Sequence, residues 1–204
     1  MAKTNYKRIT SPRGEALYPH LKTPEVYDGQ TVGYTIQAKF SKEATDKLIE
    51  QIENELEAAK KSDIFIGKRW YKEPHLGFRE DKNGDIVFKF KTKHEITTKA
   101  GDVIKRTVPV FDAKGKPIDV SLGNGSVVRI AFQVVPYHKS STNNGVTLYL
   151  DAIQVIELVE YNGSSQDASG FGFEEEEGYV ANQAASRFDD DDHGDIDGED
   201  EGDF

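Results

Sequence analysis

The run TVGYTIQAKF (31–40) alternates, with Val32, Tyr34, Ile36, Ala38 and Phe40 on one face and Thr35, Gln37 and Lys39 on the other. A period of two predicts a half-buried strand. The pattern then changes without a break. In SKEATDKLIEQIENELEAAKKS (41–62), Leu48, Ile52, Leu56 and Ala59 recur at helical spacing. Ser41 can cap this segment, Glu43 sits in its first turn, and Lys60 and Lys61 close the far end. Together they predict one amphipathic helix over about 41–61. Residues 1–30, rich in Pro, Gly and Tyr, read as an irregular arm, and 63–85 as a long loop with some extended structure ending at Asn83-Gly84. Four more apolar segments follow: IVFKFKTKHEI (86–96), TVPVFDA (107–113), SVVRIAFQVVPY (126–137) and TLYLDAIQVIELVEY (147–161). Glycine- and asparagine-bearing turns separate them. About five strands and one helix, with no alternating strand–helix units, predict a mainly β fold. A small five-stranded antiparallel barrel suits it best, because closure removes exposed edges; a β-sandwich is the alternative.

Charge divides the chain differently from hydropathy. The net charge is −10, yet residues 189–204 alone (DDDDHGDIDGEDEGDF) hold ten acids and no Lys or Arg. From Asn162 onward there are 15 acids and one base, so residues 1–161 carry a net +4. The chain reads as a mildly basic domain (1–161), a small, polar linker (162–188) and an acidic tail (189–204) that ends on Phe204. Self-repulsion and scarce aliphatic residues predict a disordered tail. Cysteine is absent, which excludes disulfides and thiolate zinc sites. The polar start MAKTNYKRITSPRG has no apolar signal core, and no apolar run approaches the roughly 18–20 residues of a membrane span. A soluble, intracellular protein with no membrane association is expected.

Catalytic chemistry finds little support in the residues. The five histidines form no ligand-spaced pair, and neither GK[ST] nor G-x-S-x-G occurs. A calcium loop starting at Asp195 would place Asp200 where glycine is required. No enzyme activity, cofactor or metal is expected.

Binding chemistry is better represented. In IVFKFKTKHEI, alternation sends Ile86, Phe88 and Phe90 to one face and Lys89, Lys91 and Lys93 to the other. Lysines about 7 Å apart along a strand match the phosphates of an extended nucleic acid strand, or form a solvated face that discourages aggregation. In SVVRIAFQVVPY the core set Val128, Ile130, Phe132 and Val134 leaves Arg129 outward, with Tyr137 near the strand end. Tyr137 is either a packing residue or a ring on which a base stacks without sequence preference. The loop GKRWYKEPH (67–75) interleaves Lys68, Arg69 and Lys72 with Trp70 and Tyr71, where Trp70 either joins a groove or plugs the barrel. A tethered polyanion would compete with nucleic acid for such a basic face.

FKFK (88–91), FDAKGK (111–116), the glycine turn before SVVRIAFQVVPY, LYLDAIQVIELVEY, EEEGYVA (175–181) and the terminal GDF occur here in an order that resembles one family. It is the replicative single-stranded DNA-binding proteins of short-tailed lytic bacteriophages, and the likeness is strongest from residue 86 onward. The resemblance implies an OB-fold, sequence-independent single-stranded DNA binding, and roles in phage DNA replication, recombination and repair within the cytoplasm of an infected bacterial host. It implies DNA contacts at Lys3, Lys91, Arg129 and Tyr137. It also implies a homodimer, and a tail (Asp189, Asp190, Asp191, Asp192, Asp203, Phe204) that contacts the phage DNA polymerase and primase–helicase. Two departures stand out: His138-Lys139 replaces the Lys-Trp of relatives, and Lys93 stands where the family can carry an aromatic. The alternative function, from a different class, is an acidic-tailed, chaperone-like protein that binds basic partners and no DNA.

Overall fold

The computed structural model describes residues 6–98 and 100–161; Lys3 and the whole linker and tail, including Asp189–Asp192, Asp203 and Phe204, lie outside the described residues. The elements in chain order are β1 (Arg8–Thr10), β2 (Gly14–Tyr27), β3 (Gln30–Phe40), α1 (Lys42–Lys60), β4 (Phe78–Glu80), β5 (Ile86–Thr92), β6 (Glu95–Thr97), β7 (Val103–Lys105), β8 (Val110–Phe111), β9 (Val127–His138) and β10 (Asn144–Glu157).

Five strands close a ring in the order β9-β2-β3-β5-β10, and β10 pairs back to β9. Four of the ring's contacts are antiparallel, and the fifth, β5 with β10, is parallel through Leu148↔Phe90 and Tyr149↔Lys91. The result is the five-stranded, OB-fold-like barrel that was expected, with two corrections: β2 and not the segment 107–113 supplies the fifth ring strand, and one contact is parallel where an all-antiparallel barrel was predicted. Its interior holds Ile36, Phe88, Phe90, Ile130, Phe132, Leu148 and Leu150, all essentially sealed from solvent. Phe90 meets Phe132 edge to face at 5.0 Å, a geometry aromatic pairs favour.

α1 forms where the apolar spacing places it. The Ser41 hydroxyl accepts from the Ala44 N–H, Lys60 closes the last turn, and Leu48, Ile52 and Leu56 are buried against the barrel. Truncating Ile52 to alanine would cost about 2–5 kcal/mol through lost burial and the cavity left behind. β10 shows how a register irregularity is written in sequence. Its buried positions are Leu148 and Leu150, then Ile153 and Val155, and the change of phase falls at a bulge between Leu150 and Ala152. The extra residue, Asp151, is turned to the surface side, where Arg8 Nε and Gln133 Nε2 donate to its carboxylate at 2.7 and 2.8 Å.

The amino-terminal segment corrects the reading of an irregular arm: β1 pairs β9, and β2 is a ring strand paired with both β3 and β9. Pro19, Pro24 and repeated register shifts along β2 hide its alternation. The loop after α1 contains one short strand, β4, laid on β5. The segment 107–113 keeps only the two-residue β8, and residues 95–105 form a separate hairpin, β6–β7. Among the described residues, no helix is long and apolar enough to cross a membrane.

Candidate functional site

β5 supplies the first side chains of the site. Phe88, Phe90 and Thr92 are buried, so Lys89 and Lys91 point away from the core, and Lys93 follows just past the strand end, exposed. Parallel pairing puts Lys91 directly beside Tyr149 of β10, and antiparallel pairing then sets Tyr149 opposite Gln133 and Gly145 opposite Tyr137. Lys89, Lys91, Tyr137 and Lys139 consequently line one cleft of about 430 Å³, together with Val32, His75, Asn143 and Thr147.

The loop after α1 is fixed to the rim of this cleft by the Asn143-Asn144-Gly145 turn. Val146 N–H donates to His75 O at 2.7 Å, His75 N–H to Asn144 O at 3.1 Å, and Tyr71 N–H to the Asn144 side-chain oxygen at 3.1 Å. Gly145 permits the approach: at φ +148°, a Cβ there would lie 2.1 Å from the His75 carbonyl oxygen. Side chains other than glycine do not fit. Arg69 and Tyr71 are held exposed beside the cleft, and the Arg69 carbonyl contacts His138 Nε2 at 2.8 Å. Trp70 turns inward. It packs on Phe65 and His138 with centroids at 5.5 and 5.3 Å, and Lys60 lies over its ring. Of the two readings for Trp70, its surroundings are those of a packing residue.

The electrostatics of the cleft are those of crowded like charges with one counter-ion. Burial, then the charges of Lys89 and Lys139, hold the Lys91 ammonium below the ordinary lysine value. Lys89 is relieved by Glu25 of β2, whose two carboxylate oxygens accept from its Nζ at 3.1 and 2.9 Å. Despite partial burial, which acts to raise its pKa, the bonds from Lys89 and Thr35 hold the Glu25 carboxyl below its usual value. Lys91, Lys93 and Lys139 make no ion pair among the described residues.

Arg129 does not join this group. It shares a face of β9 with Tyr137, but eight residues of strand separate the two by about 27 Å. Its Nε donates to Ser11 O at 3.3 Å, and it borders other clefts with Thr10 and Gln154. The sequence reading missed Glu25, because β2 was unread as a strand. It also missed Lys139 and Tyr149, although Tyr149 between buried Leu148 and Leu150 was legible as outward-facing. Among the described residues, no group of His, Cys, Asp and Glu is arranged to hold a metal.

A cleft of lysines around one tyrosine can draw in a polyanion and stack a flat ring, with no bond made or broken. Comparisons with known proteins give the family. A family model described as single-stranded DNA-binding protein, bacteriophage T7, matches residues 7–158. Among solved structures, gp2.5, a single-stranded DNA-binding protein encoded by bacteriophage T7, superposes with a TM-score of 0.61 at 22% identity, over 87% of this chain and 100% of that one. The single-stranded DNA-binding protein of bacteriophage Enc34 in complex with single-stranded DNA gives a TM-score of 0.53 at 13% identity, over 76% and 89%. The C-terminally truncated form of the Enc34 protein gives 0.51 at 14%, over 75% and 87%. A search of curated proteins returns no match.

Proposed function

The chain belongs to the bacteriophage T7 single-stranded DNA-binding protein family, and from that premise we propose that it binds single-stranded DNA without sequence preference in the cleft formed by β5, β9 and β10. The observation that carries this reading is the convergence of Lys89, Lys91 and Lys139 on Tyr137 from strands distant in sequence. The lysines neutralise phosphates and release counter-ions, while the tyrosine stacks a base. A protein that bound only basic partners would gain nothing from this cleft.

The remaining parts of the proposal concern the tail. Joined to the domain by residues 162–188, its ten acids compete with DNA for the lysines at the effective concentration that a tether of this length gives. DNA binding then releases it, and Phe204 becomes an apolar anchor for replication proteins, namely the phage DNA polymerase and the primase–helicase. Dimerisation through the tail, a role in phage replication and recombination inside the bacterial host, and binding without a covalent step complete the proposal.

Titrating an oligothymidine against the full chain and a chain lacking residues 189–204, across a range of salt, tests it. Affinity should fall steeply with salt and be tighter without the tail at low salt. Absent binding would overturn the DNA reading, and equal affinity of the two chains the competition. Phe204→Ala should leave DNA affinity intact and weaken partner capture.

A further inference from the structure

One half-buried cation beyond the cleft has a ring for a partner in place of a carboxylate. Arg106 follows β7, and its backbone N–H donates to His94 O at 2.7 Å, which closes the base of the β6–β7 hairpin. Its guanidinium carbon lies 5.2 Å from the centroid of Tyr149, and Nη1 donates to the phenolic oxygen of the same residue. No Asp or Glu among the described residues pairs with it. Tyr149 in turn stands beside Lys91, and four residues of β10 separate it from Gly145, the partner of Tyr137. At the rise of a strand that separation is about 13 Å, a distance a short stretch of single strand covers.

The bond to the phenolic oxygen fixes the guanidinium at the hydroxyl end of the Tyr149 ring, and Arg106 is only half-buried, so part of its plane stays exposed. An exposed guanidinium plane stacks a base as an aromatic ring does, and the remaining N–H groups can donate to a phosphate. We propose that Arg106, supported by Tyr149, is a second stacking platform for single-stranded DNA, and that the bound strand runs from Tyr137 past Lys91 to reach it. The proposal rests on the DNA-binding reading and extends the site by residues from the hairpin and β10.

The bland alternative is that Arg106 only packs the hairpin onto the barrel. Replacing it by lysine separates the two, because lysine keeps the charge and loses the plane. Binding of oligothymidine to the full chain, with Arg106→Lys and Arg106→Gln, is titrated across salt, and the thermal midpoint of each protein is recorded. Stacking is insensitive to salt, so Arg106→Lys is expected to weaken binding about five- to tenfold at every salt with an unchanged slope. Arg106→Gln should weaken it further and flatten the slope of log affinity against log salt by about 0.7. Wild-type affinity in Arg106→Lys, or a loss that comes with a lowered thermal midpoint, overturns the proposal. Failure of the wild-type chain to bind oligothymidine would instead refute the function on which the proposal rests.

Discussion

β5 runs between two basic neighbourhoods built from the same residue type and put to opposite uses. At its start, Lys39 Nζ lies 2.7 Å from Asp81 and 2.8 Å from Asp85, and hydrogen bonds to these two carboxylates hold its pKa above the ordinary lysine value. The Asp81 carboxylate also accepts from the backbone N–H of Asn83 and Asp85, so Lys39 and its partners in the turn before β5 are satisfied within the fold. Toward its end, Lys91 has a lowered pKa and two lysines for neighbours, with one carboxylate, Glu25, committed to Lys89. A tally of basic residues treats these two places alike. Their pairing does not: one set is satisfied within the fold, and the other is left for an anion from outside.

The largest effect on this contrast should come from the ring at the centre of the unpaired set. Tyr137→Ala is expected to weaken oligothymidine binding by about 1–3 kcal/mol, roughly five- to 150-fold, with little change in the salt slope. An affinity within twofold of wild type would return Tyr137 to a packing role. Glu25→Gln makes Lys89 resemble its unpaired neighbours. Binding should then tighten by a few-fold and the salt slope steepen by about 0.7, because one more lysine starts out in contact with counter-ions. Weaker binding in this variant would mean that Glu25 positions Lys89 for DNA and does not compete with it.

The third and smallest effect is in the response to pH. A phosphate raises the pKa of Lys91 from its lowered value in the free protein, so binding takes up a proton, and affinity should fall as pH rises through that value toward the ordinary lysine pKa of about 10.4. Stability has the opposite sign in this window, since the unfolded chain holds its Lys91 proton more tightly than the folded one. Lys91→Arg should flatten the fall in affinity; a fall of equal depth in that variant would assign it to another group.

The parts of this contrast that sequence reveals are those with undisturbed periodicity. β3, α1, β5 and β9 have clean patterns of two or 3.6, and each forms where its pattern lies. β2 does not, because two prolines and successive register shifts break its alternation, and with it went Glu25, the carboxylate that pairs with Lys89. Alternation assigns a residue to a face but not to a place along it. Arg129 and Tyr137 share a face of β9 and still lie at opposite ends of a twelve-residue strand. The parallel contact that brings Tyr149 to Lys91 is likewise a property of closure, invisible in either strand alone. Trp70 illustrates the same limit, since its neighbours Lys60, Phe65 and His138 come together only when the loop is fixed to Asn144 and Gly145.

The central claim is that function resides in the unpaired lysines and not in basic charge as such. Its most direct test sets Lys91→Gln against Lys39→Gln, each titrated with oligothymidine over a series of salt concentrations. Lys91→Gln should weaken binding and flatten the salt slope by about 0.7, the release associated with one phosphate contact on a single strand. Lys39→Gln should leave both affinity and slope at wild-type values. Equal slopes for the two variants would contradict the account, because pairing would then make no difference to which lysines meet DNA.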